Sequence, residues 1–521
     1  MAKTTGEGES AGKVEFKTTG KLDKNEQLKG SITPSLVFAT ISAIMGSLQF
    51  GYNTGVINNP QSVIQEFFNE TNYKRSGSYM PEEKERFLWS TTVAIFAVGG
   101  MMGSFLAGPL ADRLGRKGGL LLNNLLALVA GAFMGLSKIA GSYEMLIIGR
   151  LLVGINCGIN TGIVPLYLSE ISPFNLRGGI GVFNQLGVTI GILLSQILGL
   201  PIVLGTDDLW PLLLALTAAP AIIQIVTLPF CYESPRYLLI MKGKKHKAET
   251  ALEWFRGNKD VENDIAEMTT EYEKEKSEEK VSIIGLITSK ALRRPLVISI
   301  VLQLSQQFSG INAVLYYSTL LFISAGVPED LAAYVTLSTG CVMVSMTIVS
   351  IPLMDKAGRR TLHLWGLGIM FIWSILLTVS LLIEEIWSPA AYISIVCVIF
   401  FTVGFALGPG SIPWLIVAEL FSQGPRPAAI SVAFFVNWTA NFVVGLVFPS
   451  MLNGLQDFVF LVFVVLLGAF WLFTFKFLPE TKNKSFDEIS TLFRKDDPVT
   501  QYSSDKKTYS PLMGEERSDS S

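Results

Sequence analysis

The chain has 521 residues, of which 50% are hydrophobic and only 16% are charged. A soluble domain usually carries about 25% charged residues, so this composition indicates a membrane protein. The formal net charge is -2, which leaves no electrostatic basis for binding nucleic acid. The abundance of apolar residues makes the lipid bilayer the expected partner.

Twelve long apolar segments recur along the chain, each long enough to cross a bilayer as a helix. They lie near residues 35–57, 88–110, 119–137, 144–166, 179–199, 209–230, 296–320, 331–353, 361–383, 391–416, 428–450 and 457–478. A polar stretch between the sixth and seventh segments is dense in Lys and Glu with helical spacing, which predicts short surface helices. The sequence therefore predicts an all-α polytopic membrane protein with twelve transmembrane helices.

These segments divide the chain into two halves, a central loop and two tails. We expect a disordered cytoplasmic tail over 1–33, a six-helix half over 34–236, a cytoplasmic central loop with short helices over 237–294, a second six-helix half over 295–482 and a cytoplasmic tail over 483–521. Either tail is a candidate binding segment for cytoplasmic proteins.

Lysine and arginine mark one side of the membrane. They cluster in the connections after the second and eighth segments, whereas the opposite connections at 324–330, 384–390 and 451–457 contain neither. Cytoplasmic loops show this excess, so both termini are expected in the cytoplasm. The first external loop contains the triplet Asn69-Glu70-Thr71, an N-glycosylation acceptor on the side that glycosylation requires.

Charged motifs recur in the same order in the two halves. The matching sets are Asp112, Arg116 and Lys117 with Asp355, Arg359 and Arg360; Glu170 and Arg177 with Glu419 and Arg426; and Glu233 with Glu480. Parallel repeats of this kind place the substrate site between the halves, near the membrane midplane. Acids contribute little to topology, so we interpret the Glu and Arg sets as a latch of ion pairs that holds the halves together on the cytoplasmic side. For the Lys and Arg residues alone, a topology signal is a sufficient alternative.

The seventh segment carries a stripe of amides. Gln303, Gln306 and Gln307 lie with Gly310 at i, i+3, i+4 and i+7, which is one face of a helix. Asn312 joins that face only if the backbone unwinds near Gly310, as discontinuous transporter helices do at their binding sites. Interhelical hydrogen bonding explains many intramembrane amides. Three Gln on one face beside an Asn exceed that need, and we favour a binding face for a neutral, hydroxyl-rich ligand.

Taken together, these motifs resemble the major facilitator superfamily, within it the sugar porters, and most narrowly the animal facilitative glucose transporters of the GLUT type. The resemblance covers about residues 34 to 494. It rests on Gln49-Phe-Gly-Tyr-Asn-Thr-Gly-Val-Ile57, Gly115-Arg-Lys117, Pro165-Leu-Tyr-Leu-Ser-Glu170, Glu233-Ser-Pro-Arg236, Gln303-Leu-Ser305, Gly358-Arg-Arg360, Gly408-Pro-Gly-Ser-Ile-Pro-Trp414 and Pro479-Glu-Thr-Lys482.

The resemblance implies a site for hexose, with D-glucose as the expected substrate. By position, the residues implied to hydrogen-bond the sugar are Gln185, Gln306, Gln307 and Asn312, with Trp414 packed against the ring and Gln303, Asn437 and Asn441 lining the same cavity. The residues implied to form the latch are Arg177, Glu233, Asp355, Arg359, Glu419 and Arg426. Amide groups beside an aromatic face suit a sugar, which is neutral and rich in hydroxyls.

Three positions depart from the family pattern. Ala406 stands where close relatives carry a glutamate, Met343 stands where they carry an asparagine, and Tyr232 replaces the first proline of the usual Pro-Glu-Ser-Pro-Arg run. The first two substitutions remove hydrogen-bonding groups from the expected cavity, which bears on affinity and hexose selectivity rather than on the transport class.

A proton-coupled porter needs a titratable group within the membrane, normally a buried carboxylate. The first segment has no Asp or Glu, and Asn53 stands where related symporters carry an aspartate. Arg150 is the only base well inside a segment, and we expect it to pair or to reach the membrane surface.

Facilitative uniport of hexose by alternating access in the plasma membrane is therefore the favoured function. The alternatives are a proton-coupled sugar symporter and a transporter-like sugar sensor. The four Cys and two His show no metal or catalytic spacing, so we expect no metal, no cofactor and no enzyme activity.

Overall fold

The computed structural model describes residues 31–482 apart from 278–280, 385, 388 and 423, together with Lys484 and Ile489. Both predicted tails lie almost wholly outside these residues, and so does the side chain of Asp355. Across the part of the chain described, the backbone is helical with no strand.

The first half contains six crossings and one additional helix. Its helices are α1 (Pro34–Gly55), α2 (Gln61–Ser76), α3 (Glu82–Leu114), α4 (Arg116–Leu136), α5 (Tyr143–Ile171), α6 (Arg177–Leu198), α7 (Trp210–Ala215) and α8 (Ala218–Thr227). Helix α2 follows the first crossing, and α7 with α8 forms the sixth. The central loop then contributes α9 (Lys245–Arg256), α10 (Glu262–Ser277) and α11 (Ile283–Thr288), as the Lys- and Glu-rich stretch predicts.

The second half repeats the arrangement with two of its crossings broken. Its helices are α12 (Lys290–Gln307), α13 (Ile311–Ser324), α14 (Glu329–Ala357), α15 (Arg359–Glu384), α16 (Ala390–Leu407), α17 (Ile412–Leu420), α18 (Arg426–Leu455) and α19 (Val459–Phe477). Helices α12 and α13 form the seventh crossing, and α16 and α17 form the tenth.

Ten helical stretches within the described residues are long and apolar enough to span a membrane. One of these stretches, Arg426–Phe477, contains both α18 and α19. The seventh crossing is not among the ten, because α12 begins with Lys290, Arg293 and Arg294 and α13, beyond the interruption at Gly310, has only 14 residues. Counting α18 and α19 as two crossings and adding the seventh crossing gives the twelve that the hydropathy of the sequence predicts.

The interruption of the seventh crossing depends on Gly310. Its φ is 95°, in the left-handed region that glycine adopts without steric cost. A methyl group added there would also lie 2.9 Å from the Phe463 ring. The backbone therefore unwinds at Gly310, which is the condition for Asn312 to join the amide face. Helix α13 starts at Ile311, one residue before Asn312.

We call the membrane side that carries the Lys- and Arg-rich connections the basic side. At the opposite side, hydrogen bonds join the two halves. Asn58 Nδ2 donates to Ser318 Oγ at 2.5 Å, and Thr319 Oγ1 donates to Asn59 Oδ1 at 3.1 Å. Gln196 Nε2 donates to Thr339 Oγ1 at 3.2 Å, linking α6 to α14. These neutral bonds close the side that the sequence predicts to be external.

Substitution of Gly310 by Ala tests the interruption. We expect Gly310→Ala to cost about 1–3 kcal/mol, because it places a Cβ in the left-handed region and against an aromatic ring. The measurement is the midpoint of thermal unfolding in detergent. Gly454→Ala is the matched control, since a methyl group there meets nothing within 4 Å. Equal stability of both variants would contradict a strained interruption at Gly310.

Candidate functional site

The amide stripe of α12 faces α18 and forms a hydrogen-bonded cluster with it. Asn437 Nδ2 donates to Gln303 Oε1 and to Gln306 Oε1, each at 2.7 Å. Gln307 Nε2 donates in turn to Asn437 Oδ1 at 2.9 Å. Helical spacing alone brings the three glutamines to one face. The hydrogen bonds of these glutamines to Asn437 of α18 are seen only in the tertiary structure.

The broken tenth crossing supplies the other side of this cluster. Gln306 Nε2 donates to the carbonyl oxygens of Pro409 at 2.8 Å and Gly410 at 2.9 Å, and Gln303 Nε2 donates to that of Pro413 at 3.2 Å. Pro409 and Gly410 lie in the break between α16 and α17, where carbonyl oxygens lack the partners that a continuous helix provides, and Pro413 lies in the first turn of α17. The Pro and Gly residues of this run are the sequence signal for these acceptors, which sequence analysis had not identified as part of the site.

Two asparagines extend the cluster along α13 and α18. Asn312 Nδ2 donates to Gln307 Oε1, so the interruption at Gly310 does bring Asn312 to the stripe. Asn441 accepts a 2.9 Å hydrogen bond from Tyr316, which sequence analysis had not singled out although it lies one helical turn after Asn312. The six amide residues of the cluster, Gln303, Gln306, Gln307, Asn312, Asn437 and Asn441, are each at most 6% exposed.

Two expected sugar contacts lie outside the cluster. Gln185 is half-buried on α6, and its side chain forms no hydrogen bond with the described residues. Trp414 is half-buried on α17, with its ring edge-on to Phe434 of α18 at a centroid distance of 4.8 Å. Both side chains retain exposed surface, in contrast to the amides.

Two of the three departures from the family pattern, Ala406 and Met343, are buried. Ala406 is buried in α16 near the break of the tenth crossing, where a methyl group on Gly410 would be 3.7 Å from its Cα. Met343 is buried in α14 as part of the large hydrophobic core.

Arg150 is 0% exposed, so of the two expected arrangements, pairing or reaching the membrane surface, the second does not occur. Its Nη1 donates to the backbone oxygen of Asn53 at 2.9 Å, and the guanidinium lies 4.7 Å from the centroid of the Phe96 ring. Within the described residues, its Nε and Nη2 have no hydrogen-bond partner. A backbone carbonyl and an aromatic face, which attracts cations, therefore surround this charge.

On the basic side, the repeated charges form one network in each half. In the first, Arg116 binds Glu170 with both Nε and Nη2 at 2.8 Å, and Ser234 donates to the same carboxylate. Glu233 Oε1 accepts the backbone N–H groups of Arg116 at 2.9 Å and Lys117 at 3.1 Å. A carboxylate at the start of α4 satisfies N–H groups that have no partner inside the helix.

The second half reproduces this network around α15. Arg359 Nε donates to Glu419 at 3.1 Å, and Thr481 donates to the same carboxylate. Glu480 accepts the backbone N–H groups of Arg359 at 2.9 Å and Arg360 at 3.1 Å. The sequence repeat thus corresponds to a repeat of helix N-terminal capping.

The partners of these charges differ from a latch that spans the halves. Glu170 and Glu419 each bind an arginine of their own half, because the N-termini of α4 and α15 lie against the helix ends that carry them. Arg177 lies 3.8 Å from Glu271 of α10, and Arg426 donates to the backbone oxygen of Phe421.

The remaining predicted positions lie at the membrane surfaces. Asp112 is 4.0 Å from Arg116 and mostly exposed, while Lys117 Nζ donates to the carbonyl oxygens of Pro229 and Cys231 at 2.8 Å. Asn69 is half-buried in α2, where its Nδ2 donates to Glu85 at 2.8 Å.

Comparison with known proteins places this geometry in a family. The model of the "Sugar (and other) transporter" family matches residues 39–493. The chain is 52% identical over 462 residues to facilitated glucose transporter member 3 of solute carrier family 2 from Ovis aries, covering 89% of this chain and 93% of that protein. It is 48% identical over 508 residues to member 4 from Homo sapiens, covering 97% of this chain and 99% of that protein.

Solved structures of bacterial sugar transporters have the same fold. A xylose transporter from E. coli in a partially occluded inward-open conformation matches with a TM-score of 0.73 and 26% identity over 87% of this chain and 100% of that one. A structure of the proton:xylose symporter of the major facilitator superfamily, bound to 6-bromo-6-deoxy-D-glucose, matches with a TM-score of 0.72, 26% identity and coverage of 88% and 99%. The predicted major facilitator fold is confirmed, and the relatives are transport proteins rather than enzymes. This multi-pass membrane protein belongs to the sugar transporter family.

Proposed function

We propose that this chain carries out facilitated transport of hexose, with D-glucose as the principal substrate. The observation that carries the proposal is the buried cluster of amides on α12, α13 and α18, which contains no charged side chain. Sugar hydroxyls both donate and accept hydrogen bonds, as amides do. The relatives named as facilitated glucose transporters support the same substrate class.

The amides of the cluster hydrogen-bond one another in this structure, so an entering sugar exchanges those bonds for its own. Gln307 is the natural point of exchange, because it donates to Asn437 and accepts from Asn312. A net gain of about 0.5–1.5 kcal/mol for each exchanged bond keeps binding modest. In this proposal Gln185 and Trp414, which keep exposed surface, contact the sugar from the first half and from the broken tenth crossing.

Transport proceeds by alternating access, with the halves over 34–236 and 295–482 rocking about this site. The charged networks on the basic side keep each half rigid at that surface. In the outward-facing state the residues Glu170, Arg177, Glu233, Asp355, Arg359, Glu419 and Arg426 come together across the halves as the latch. Opening outward then requires the neutral bonds of Asn58 and Asn59 to break.

Uniport is favoured over proton coupling by the surroundings of Arg150. The atom that this guanidinium binds is the backbone oxygen of Asn53, and no carboxylate takes part in the contact. A proton relay needs a group that titrates there. Symport is the second candidate, since the similar bacterial structure is described as that of a proton:xylose symporter.

We further propose that the protein resides in the plasma membrane with both termini in the cytoplasm. The excess of Lys and Arg on the basic side supports this orientation. The tails are proposed binding segments for cytoplasmic proteins. Asn69 is a proposed glycosylation site, and a glycan there would replace its hydrogen bond to Glu85.

Uptake of radiolabelled glucose into proteoliposomes containing the purified protein tests the function. We expect equilibration to the outside concentration, with no effect of an inward proton gradient, because the first crossing has no carboxylate to couple. Accumulation above the outside concentration would favour the symporter. Glucose binding without uptake would favour the sensor.

Substitution of Gln306 tests the site. We expect Gln306→Leu to reduce hexose uptake by about tenfold or more, because it removes a sugar contact and leaves one N–H of Asn437 and the carbonyl oxygens of Pro409 and Gly410 without this partner. The measurement is the initial rate of glucose uptake per molecule at the cell surface. Gln65→Leu makes the same chemical change in α2 and serves as control. Normal uptake by the Gln306 variant would count against the site.

A further inference from the structure

His363 lies in the second turn of α15, is 0% exposed and has no part in the proposed sugar contacts. Its Nε2 is 3.2 Å from Ser305 Oγ, and its Nδ1 has no hydrogen-bond partner within the described residues. The Ser305 hydroxyl donates to the carbonyl oxygen of Leu302 at 2.7 Å. Its oxygen is therefore the acceptor for His363, which assigns the ring proton to Nε2.

The helix that carries His363 also supports the break of the tenth crossing. A methyl group on Gly408 would lie 2.5 Å from the Leu362 oxygen and 3.0 Å from His363 Cα. A methyl group on Gly366 would lie 2.5 Å from Pro409 Cδ. The backbone of α15 and that of the break are thus in direct contact on both sides of His363.

The residue that follows Ser305 contacts the break of the tenth crossing at the amide cluster. Ser305 directly precedes Gln306, whose Nε2 binds the carbonyl oxygens of Pro409 and Gly410. His363 therefore contacts both the helix that carries Gln306 and the break that Gln306 binds. It contacts α12 through the Ser305 side chain, and it contacts the break through its own backbone. An imidazole with one unbonded nitrogen is a costly way to fill an apolar space, so packing alone does not account for it.

We propose that His363 is a positioning residue for the sugar site. Its hydrogen bond to Ser305 sets the rotation of α12 relative to the broken tenth crossing, and so the direction in which Gln306 and Gln307 present their amides. This inference rests on the proposed hexose transport. His363 orients the residues that contact the sugar and takes no part in the rocking of the halves. Loss of the His363 side chain should therefore raise the KM for the sugar and leave the maximal rate nearly unchanged.

The test compares His363→Leu with His363→Gln in glucose uptake by proteoliposomes. We expect His363→Leu to raise the KM for glucose by about tenfold, which is the change in affinity that loss of one buried hydrogen bond causes. The maximal rate per folded protein should be nearly unchanged. His363→Gln, which keeps a donor near the position of Nε2, should restore most of the affinity. A purely structural role would lower the yield of folded protein without this split between KM and maximal rate.

Ser305→Ala supplies a second route to the same interaction. If His363 acts through Ser305, the double variant with His363→Leu should have a KM no higher than the worse single variant. Multiplicative effects on KM, or an unchanged KM in Ser305→Ala, would overturn the proposal, even if His363→Leu failed to fold. Ser374→Ala, which removes another buried hydroxyl from α15, should leave KM unchanged.

The native protein separates this inference from the function on which it rests. Failure of the native protein to take up glucose would refute the proposed transport. Native uptake together with an unaltered KM in His363→Leu would refute only the positioning role.

Discussion

The constraint on which the rest of this structure depends is that a polar group within the membrane must find its partner inside the protein. Two crossings of the second half are broken, and each break releases backbone groups. The carbonyl oxygens of Pro409 and Gly410, which lie in the break between α16 and α17, accept from the side chain of Gln306, and that of Pro413 in the first turn of α17 accepts from Gln303. The amides of α12 thus supply hydrogen-bond donors to the backbone of the tenth crossing, and the proposed site lies where the last turns of α12 meet that break.

The same constraint explains the repeated charges on the basic side. The helices α4 and α15 each begin directly after a turn, so their first N–H groups lack partners within the helix. Glu233 and Glu480 accept these N–H groups, while Glu170 and Glu419 bind the arginine side chain that follows the turn. Two carboxylates for each helix start give the pattern that recurs in the two halves. A repeat that the sequence presents as a set of charges is, in the structure, a repeated helix cap.

The crossings, the amide stripe and the interruption at Gly310 were predictable from the sequence, because each is a local property. Hydropathy over about 20 residues marks a span, helical spacing aligns Gln303 with Gln306, and glycine permits the left-handed backbone. The partners were not predictable, because they join segments far apart in the chain. The family resemblance places Asn437 in the same cavity as the glutamines, but helical spacing and hydropathy do not show that it hydrogen-bonds them. They also do not show that Glu170 binds Arg116 and not Arg177, or that His363 reaches Ser305.

A site whose amides bind one another also suits the proposed uniport cycle. A uniporter completes each cycle of net transport only when it returns without sugar, so a high barrier to that return slows transport. Each buried amide left unpaired on the return step would add about 1–3 kcal/mol to that step. Here Asn437 and Asn312 supply the missing partners of Gln307. A charged site would bind ligand more strongly, but its desolvated charge would oppose the return, and a neutral cluster that closes on itself avoids this cost.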